Sequence, residues 1–165
     1  MKKIVVNLSE SSINQAIKDV KAYQKWIDAK TKILLEKLAL VGAQEASVRF
    51  ASAMYDGIND VSIEASPTST GWMISARGDA VCFLEFGAGV YHNPGEPYPE
   101  PRPTGVVGIG EYGQKKGKRR GWKFYSESGE LVFTRGTPAT LSMWYATTEM
   151  QREVERIARE VFSGG

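Results

Sequence analysis

The sequence predicts an α+β fold made of a long N-terminal helix, a small antiparallel β-sheet, a long Gly/Pro-rich loop and a C-terminal helix packed on the sheet. Three observations predict it. Apolar residues recur at helical spacing through the first third of the chain. Short stretches then alternate apolar with polar residues, the period of a half-buried strand. After a glycine- and proline-dense segment, helical spacing returns and runs nearly to the end.

In the first helix Ser12 and Gln15 make a capping box, with Ser9 and Ser11 competing for the start. Ile13, Ile17, Val20, Ile27, Leu34, Leu38, Val41 and Val48 follow at spacings of three, four and seven. Gln24, Thr31 and Glu45 interrupt this stripe, which reads as a packing face and not a clean coiled coil. The pattern reaches about Tyr55, with Gly57 as the stop and a break near Asp28-Ala29-Lys30 allowed by the unusual length.

A meander follows. Val61, Ile63 and Ala65 alternate with polar residues, Pro67 to Gly71 turn the chain, and Trp72, Ile74 and Ala76 alternate again. Gly78-Asp79 reads as a two-residue hairpin loop. Ala80 to Leu84, apolar on both faces, then reads as a covered central strand. Trp122–Tyr125 and Glu130–Thr134 form a second hairpin around Ser126 to Gly129. Thr137-Pro138 supplies a helix N-cap and first-turn proline, ahead of a helix whose inner side carries Leu141, Tyr145, Val154, Ile157, Ala158 and Val161.

Between these hairpins, Gly87 to Gly121 contains nine glycines and five of the seven prolines. A segment of this composition is expected to be an extended arm on a single domain, ordering when it meets a partner. Its clustered Lys115, Lys116, Lys118, Arg119 and Arg120 are candidate phosphate contacts, whether as a solvated loop or as a nucleic-acid surface beside Trp122.

Several chemistries lack their residue patterns. Gly108 to Gly113 spells G-x-G-x-x-G, but no βαβ unit surrounds it and glycine and lysines follow where a helix should open. Gly113 to Arg119 are one residue short of a phosphate-binding P-loop and lack its Ser/Thr. Arg77-Gly78-Asp79 needs no reading beyond a turn. The one histidine, His92, lacks an orienting acid and a nucleophile at motif spacing, and with Glu96 and Glu100 it lacks metal-ligand spacing. Cys82, the only cysteine, reads as a small buried hydrophobe. No catalytic, metal or cofactor role is therefore expected. Net charge is +2, too mild to imply a nucleic-acid or membrane partner by itself. No apolar run reaches the about 18–20 residues of a membrane span, and the three apolar residues after Lys3 fall short of the about 7–15 of a secretory signal.

Phe83-Leu84-Glu85-Phe86-Gly87-Ala88-Gly89, in this order of elements and with Pro138-Ala139 before the closing helix, resembles the tail-component, or tail-completion, proteins of long-tailed bacteriophages. The match spans roughly Leu38 to Val161, with Ala88 where that family has threonine. The resemblance implies a non-catalytic virion protein of the tail or neck, assembled in the host cytoplasm and acting in head-to-tail joining. It implies copies of itself in a ring, and tail-tube, tail-terminator or neck proteins, as partners. Candidate subunit contacts are Glu85, Phe86, Gly87 and Gly89, with Tyr91, Tyr98 and Tyr112 in the arm. A small nucleic-acid-binding protein acting through residues 115–120 is the alternative.

Overall fold

The computed structural model describes Asn7 and residues 9–92 and 120–163. Its elements are α1 (Glu10–Ala51), β1 (Ser62–Pro67), β2 (Trp72–Arg77), α2 (Val81–Phe86), β3 (Trp122–Tyr125), β4 (Leu131–Thr134) and α3 (Ser142–Ser163). The expected α+β arrangement is present, with the strands in two separate antiparallel pairs, β1 with β2 and β3 with β4. Most of the expected arm, 93–119, lies outside the described residues.

α1 runs without interruption for 42 residues, about 63 Å of helix. Ser9, one of the competing caps, begins it by accepting from the Ser12 backbone N–H, while the Ser12 hydroxyl accepts from Asn7. The helix ends at Ala51, before the expected Tyr55. There the Phe50 carbonyl accepts from the Ala53 backbone N–H at 3.2 Å and from the Asn59 side-chain amide at 2.8 Å.

α3 lies antiparallel on the second half of α1. The Arg49 guanidinium stacks 3.8 Å from the Tyr145 ring centre, Lys37 pairs with Glu160, and Phe162 meets Trp26 edge-on. The buried residues of α1 are Ala39, Gly42, Ala46 and Phe50. This corrects the sequence reading of the inner face, since the stripe of larger apolar residues is turned about 100° away and Val48 is exposed. Small residues decide the face because they let backbones approach. A Cβ on Gly42 would lie 2.7 Å from both Ile74 Cδ1 on β2 and Met150 Sδ on α3. α1, the first hairpin and α3 thus converge on one glycine. On α3 the buried residues are Ser142, Ala146, Ile157 and Val161, while Tyr145 and Val154, expected inside, are exposed. The shared core gathers Ala46, Phe50, Ala80, Leu84 and Ala146, with Tyr55, Ile63 and Met143 packed against it.

Ala80 to Leu84 is not a strand. The chain leaves β2 through Gly78 at φ 138° and coils into α2, so Gly78-Asp79 is a helix entry and not a hairpin loop. Asp60 drives the change: its carboxylate accepts from the Asp79 N–H at 2.7 Å and the Ala80 N–H at 2.9 Å. These are the amides of Ala80, the N-cap of α2, and of the residue before it. Coiling places Leu84 and Glu85 inward and leaves Cys82 exposed, against the expectation of a buried thiol.

The Ala80 and Asp79 backbone N–H groups hold the Asp60 carboxyl below its usual range. A depressed carboxylate contributes stability above its ordinary pKa and loses it as pH falls through the lowered value. Acidification should therefore expose the Asp79 and Ala80 amides to hydrogen exchange before the α1 amides open. In Asp60→Ala that acid-dependent step should vanish; an unchanged exchange profile would remove Asp60 from this role.

Candidate functional site

The residues carrying the resemblance meet at one junction, where α2 ends and the β4–α3 connection crosses it. Glu85 is 2% exposed. Both its carboxylate oxygens accept from the Met143 backbone N–H, at 3.0 and 3.2 Å, in the first turn of α3. A carboxylate there satisfies an orphan amide and meets the positive end of the helix dipole. Glu85, named above as a candidate subunit contact just after an expected strand, instead lies in a helix and caps another helix.

The same junction explains why α3 starts at Ser142, later than the Thr137-Pro138 signal indicated. Thr137 is engaged in an antiparallel bridge, exchanging N–H···O bonds of 2.8 and 2.9 Å with Ala88. Thr140 and Leu141 then donate their backbone N–H groups to the carbonyls of Leu84 and Glu85, and the Thr140 hydroxyl also donates to Leu84. Leu141, at φ 53°, makes the turn that launches the helix. The last turn of α2 is thus stitched to the segment before α3 by backbone bonds on both sides.

Gly87 and Gly89 flank the bridge at φ 76° and 77°, where a side chain is strained. At Gly89 a Cβ would also come within 2.8 Å of the Trp122 ring. Phe86 is half-buried. Tyr91 lies at the surface beyond the bridge, where Arg135 places its guanidinium 5.0 Å from the ring centre and donates to the hydroxyl at 3.3 Å. His92 meets the Tyr91 ring edge-on at 4.7 Å. Glu85, Phe86, Gly87, Gly89 and Tyr91 therefore come together, with the first four doing structural work and Tyr91 available at the surface. Arg120 is exposed immediately before β3. Tyr98, Tyr112, Lys115, Lys116, Lys118 and Arg119 lie outside the described residues.

Three features escaped sequence reasoning: the Asp60 cap, the small-residue seam at Ala39, Gly42 and Ala46, and the outer face of the second hairpin. On that hairpin the register pairs Lys123 with Phe133 and Tyr125 with Leu131, so the four share a face, and all are exposed. The hairpin was visible in the sequence, but its outward side carries Tyr125, Leu131 and Phe133, each more than half exposed.

Two hollows lie along α1. One, of about 360 Å³, is walled by Leu38, Trp72, Ile74, Met143 and Met150. The other, of about 580 Å³, opens between α1 and the β1–β2 turn, where Asp28, Lys32 and Glu36 face Thr68 and Trp72. The second also holds the hydroxyls of Thr31, Thr68, Ser69 and Thr70, and the Thr68 hydroxyl accepts from the Gly71 backbone N–H and so serves the turn. Among the described residues no three His, Cys, Asp or Glu side chains are grouped as metal ligands, and no helix is long and apolar enough to cross a membrane. Compared with protein-family models, curated proteins and solved structures, the chain matches none.

Proposed function

We propose that this chain is a structural virion protein of the tail or neck of a long-tailed phage, acting in tail completion and head-to-tail joining through subunit contacts and without turnover. The observation that carries the proposal is the Glu85–Gly89 junction. The residues on which the resemblance rests fix the entry to α3 and the start of the 87–121 segment instead of lining a reaction pocket. A signature of this kind serves an architecture.

Uncovered apolar surface supports the same reading. Ile17, Val20 and Tyr23 on α1, and Tyr125, Leu131 and Phe133 on the second hairpin, are all about half exposed or more. Contiguous apolar surface of this kind marks sites of protein contact. Two separate patches on one subunit give it two contact surfaces, enough to join copies of itself and a neighbouring protein at once. The protein is accordingly a component of the particle, assembled in the host cytoplasm beside tail-tube, tail-terminator or neck proteins.

Mass spectrometry of purified particles and of separated tails checks this. The chain should be present in fixed proportion to the tail proteins and remain through a high-salt wash. Its absence from particles, or its release by salt together with nucleic acid, would point to the basic segment 115–120 and a phosphate partner instead.

A further inference from the structure

We propose that the first half of α1 is a self-association seam, in which copies of this chain join in parallel and in register through Ile13, Ile17, Val20 and Ile27. This names the self-contact of the assembly reading and rests on it for its biological setting.

α3 ends beside Trp26, which Phe162 touches edge-on, and α1 continues beyond that point toward Glu10. Residues 20–29 are exposed without exception. On this projecting length Ile13, Val20 and Ile27 stand seven residues apart, Ile17 falls between the first two, and these four are between 36% and 54% exposed. The structure thus separates two faces that the sequence had merged. On the second half of α1, Ala39, Gly42, Ala46 and Phe50 serve the fold with Leu34, Leu38 and Val41 half-buried beside them, and the apolar residues of the first half are left over.

The occupant is a copy of the same helix for three reasons. A seven-residue repeat corresponds to 3.5 residues per turn, the period of a stripe that follows a supercoiled partner helix and not a flat protein face. Gln24 lies on the stripe between Val20 and Ile27. In parallel, in-register copies it faces Gln24, so that amide can pair with amide; an apolar partner would bury it without a hydrogen bond. The flanking residues are compatible as well. In that register Ala16 of one copy faces Lys21 of the next, and Tyr23 faces Asp28, so no like charges oppose and a hydroxyl meets a carboxylate. Toward the C-terminus the seam stops near Ile27, because Leu35 already belongs to the hollows shared with α3 and the first hairpin. β-branched side chains at both stripe positions favour more than two strands, as a ring or collar requires.

Light scattering on the full chain should show species heavier than the monomer. Ile17→Lys with Val20→Lys should raise the dissociation constant at least about a hundredfold. Both residues are exposed in the single chain, so circular dichroism should show the monomer's helix content and melting unchanged. In a Cys82→Ser background, Ile17→Cys should form an intermolecular disulfide, which needs residue 17 to face itself across the seam. A parent chain that stays monomeric to about 1 mM, the weak end of specific contacts, would overturn the proposal. So would oligomers indifferent to the lysine pair, or failure of the Ile17→Cys cross-link. Monomeric protein still found in particles would sink the seam and keep the assembly reading; seam-dependent oligomers absent from particles would do the reverse.

Discussion

Replacing Phe50 by Ala should lower stability by about 3–5 kcal/mol, the range for emptying a buried aromatic site. Phe50 is 2% exposed and is the largest side chain of the central cluster, where it meets Ala46, Ala80, Leu84 and Ala146. Those neighbours belong to α1, α2 and α3, and most are already alanines. Short side chains on helices held at several points cannot lean in to refill the space, so the cavity should persist. Urea unfolding checks this: the midpoint should drop while the dependence on denaturant keeps its slope. A loss under about 1 kcal/mol would mean that α2 collapses onto the gap, and that the junction it anchors is looser than its backbone bonds imply.

Glu85→Leu should be costly for another reason. Leucine is similar in bulk and would keep the packing, but it leaves the Met143 N–H buried without an acceptor, a loss of about 1–3 kcal/mol. Glu85→Gln retains one carbonyl oxygen for that amide and should fall between parent and Leu, losing the charge at the helix start. The order parent, Gln, Leu in thermal melting, with the amides of Ser142 to Tyr145 the first to gain exchange, is the expected result. Equal melting of all three would make Glu85 a bystander and remove the main physical content of the Glu-Phe-Gly signature. Neither substitution should alter a catalytic rate, because the residue serves a helix end.

The sequence made the large outline legible and misjudged points where a few polar groups decide. α1, both hairpins and α3 could be read because each repeats its period over enough residues to outweigh local ambiguity. α2 could not. Five residues apolar on both faces, Ala80 to Leu84, suit a buried strand as well as a buried helix, and what tips the balance is Asp60, about twenty positions upstream, reaching the Asp79 and Ala80 amides. The start of α3 was misplaced because Thr137-Pro138 is a sound local signal that loses to the long-range bridge with Ala88. The inner face of α1 was misjudged because Ala39, Gly42 and Ala46 count for little on any hydrophobic pattern, yet close approach of helices needs small side chains. That error was informative, since Ile13, Ile17, Val20, Ile27 and Val48 of that stripe are left outside.

Glu85 shows how far the site itself was legible. Its place in the Glu-Phe-Gly motif marked it as a candidate subunit contact, whereas its partner here is the amide of Met143, far along the same chain. The exposure of Tyr91 and of the hairpin face had no such local cue, because a surface is defined by what the rest of the fold leaves uncovered.

The claim that this is a joining component of a phage particle is tested most directly by deleting its gene from a phage that carries it and imaging what accumulates. Filled heads and tails that remain unattached, or tails with an unfinished end, with infectivity restored by the protein supplied in trans, are the predicted result. Normal numbers of joined, infectious virions without the protein would contradict it.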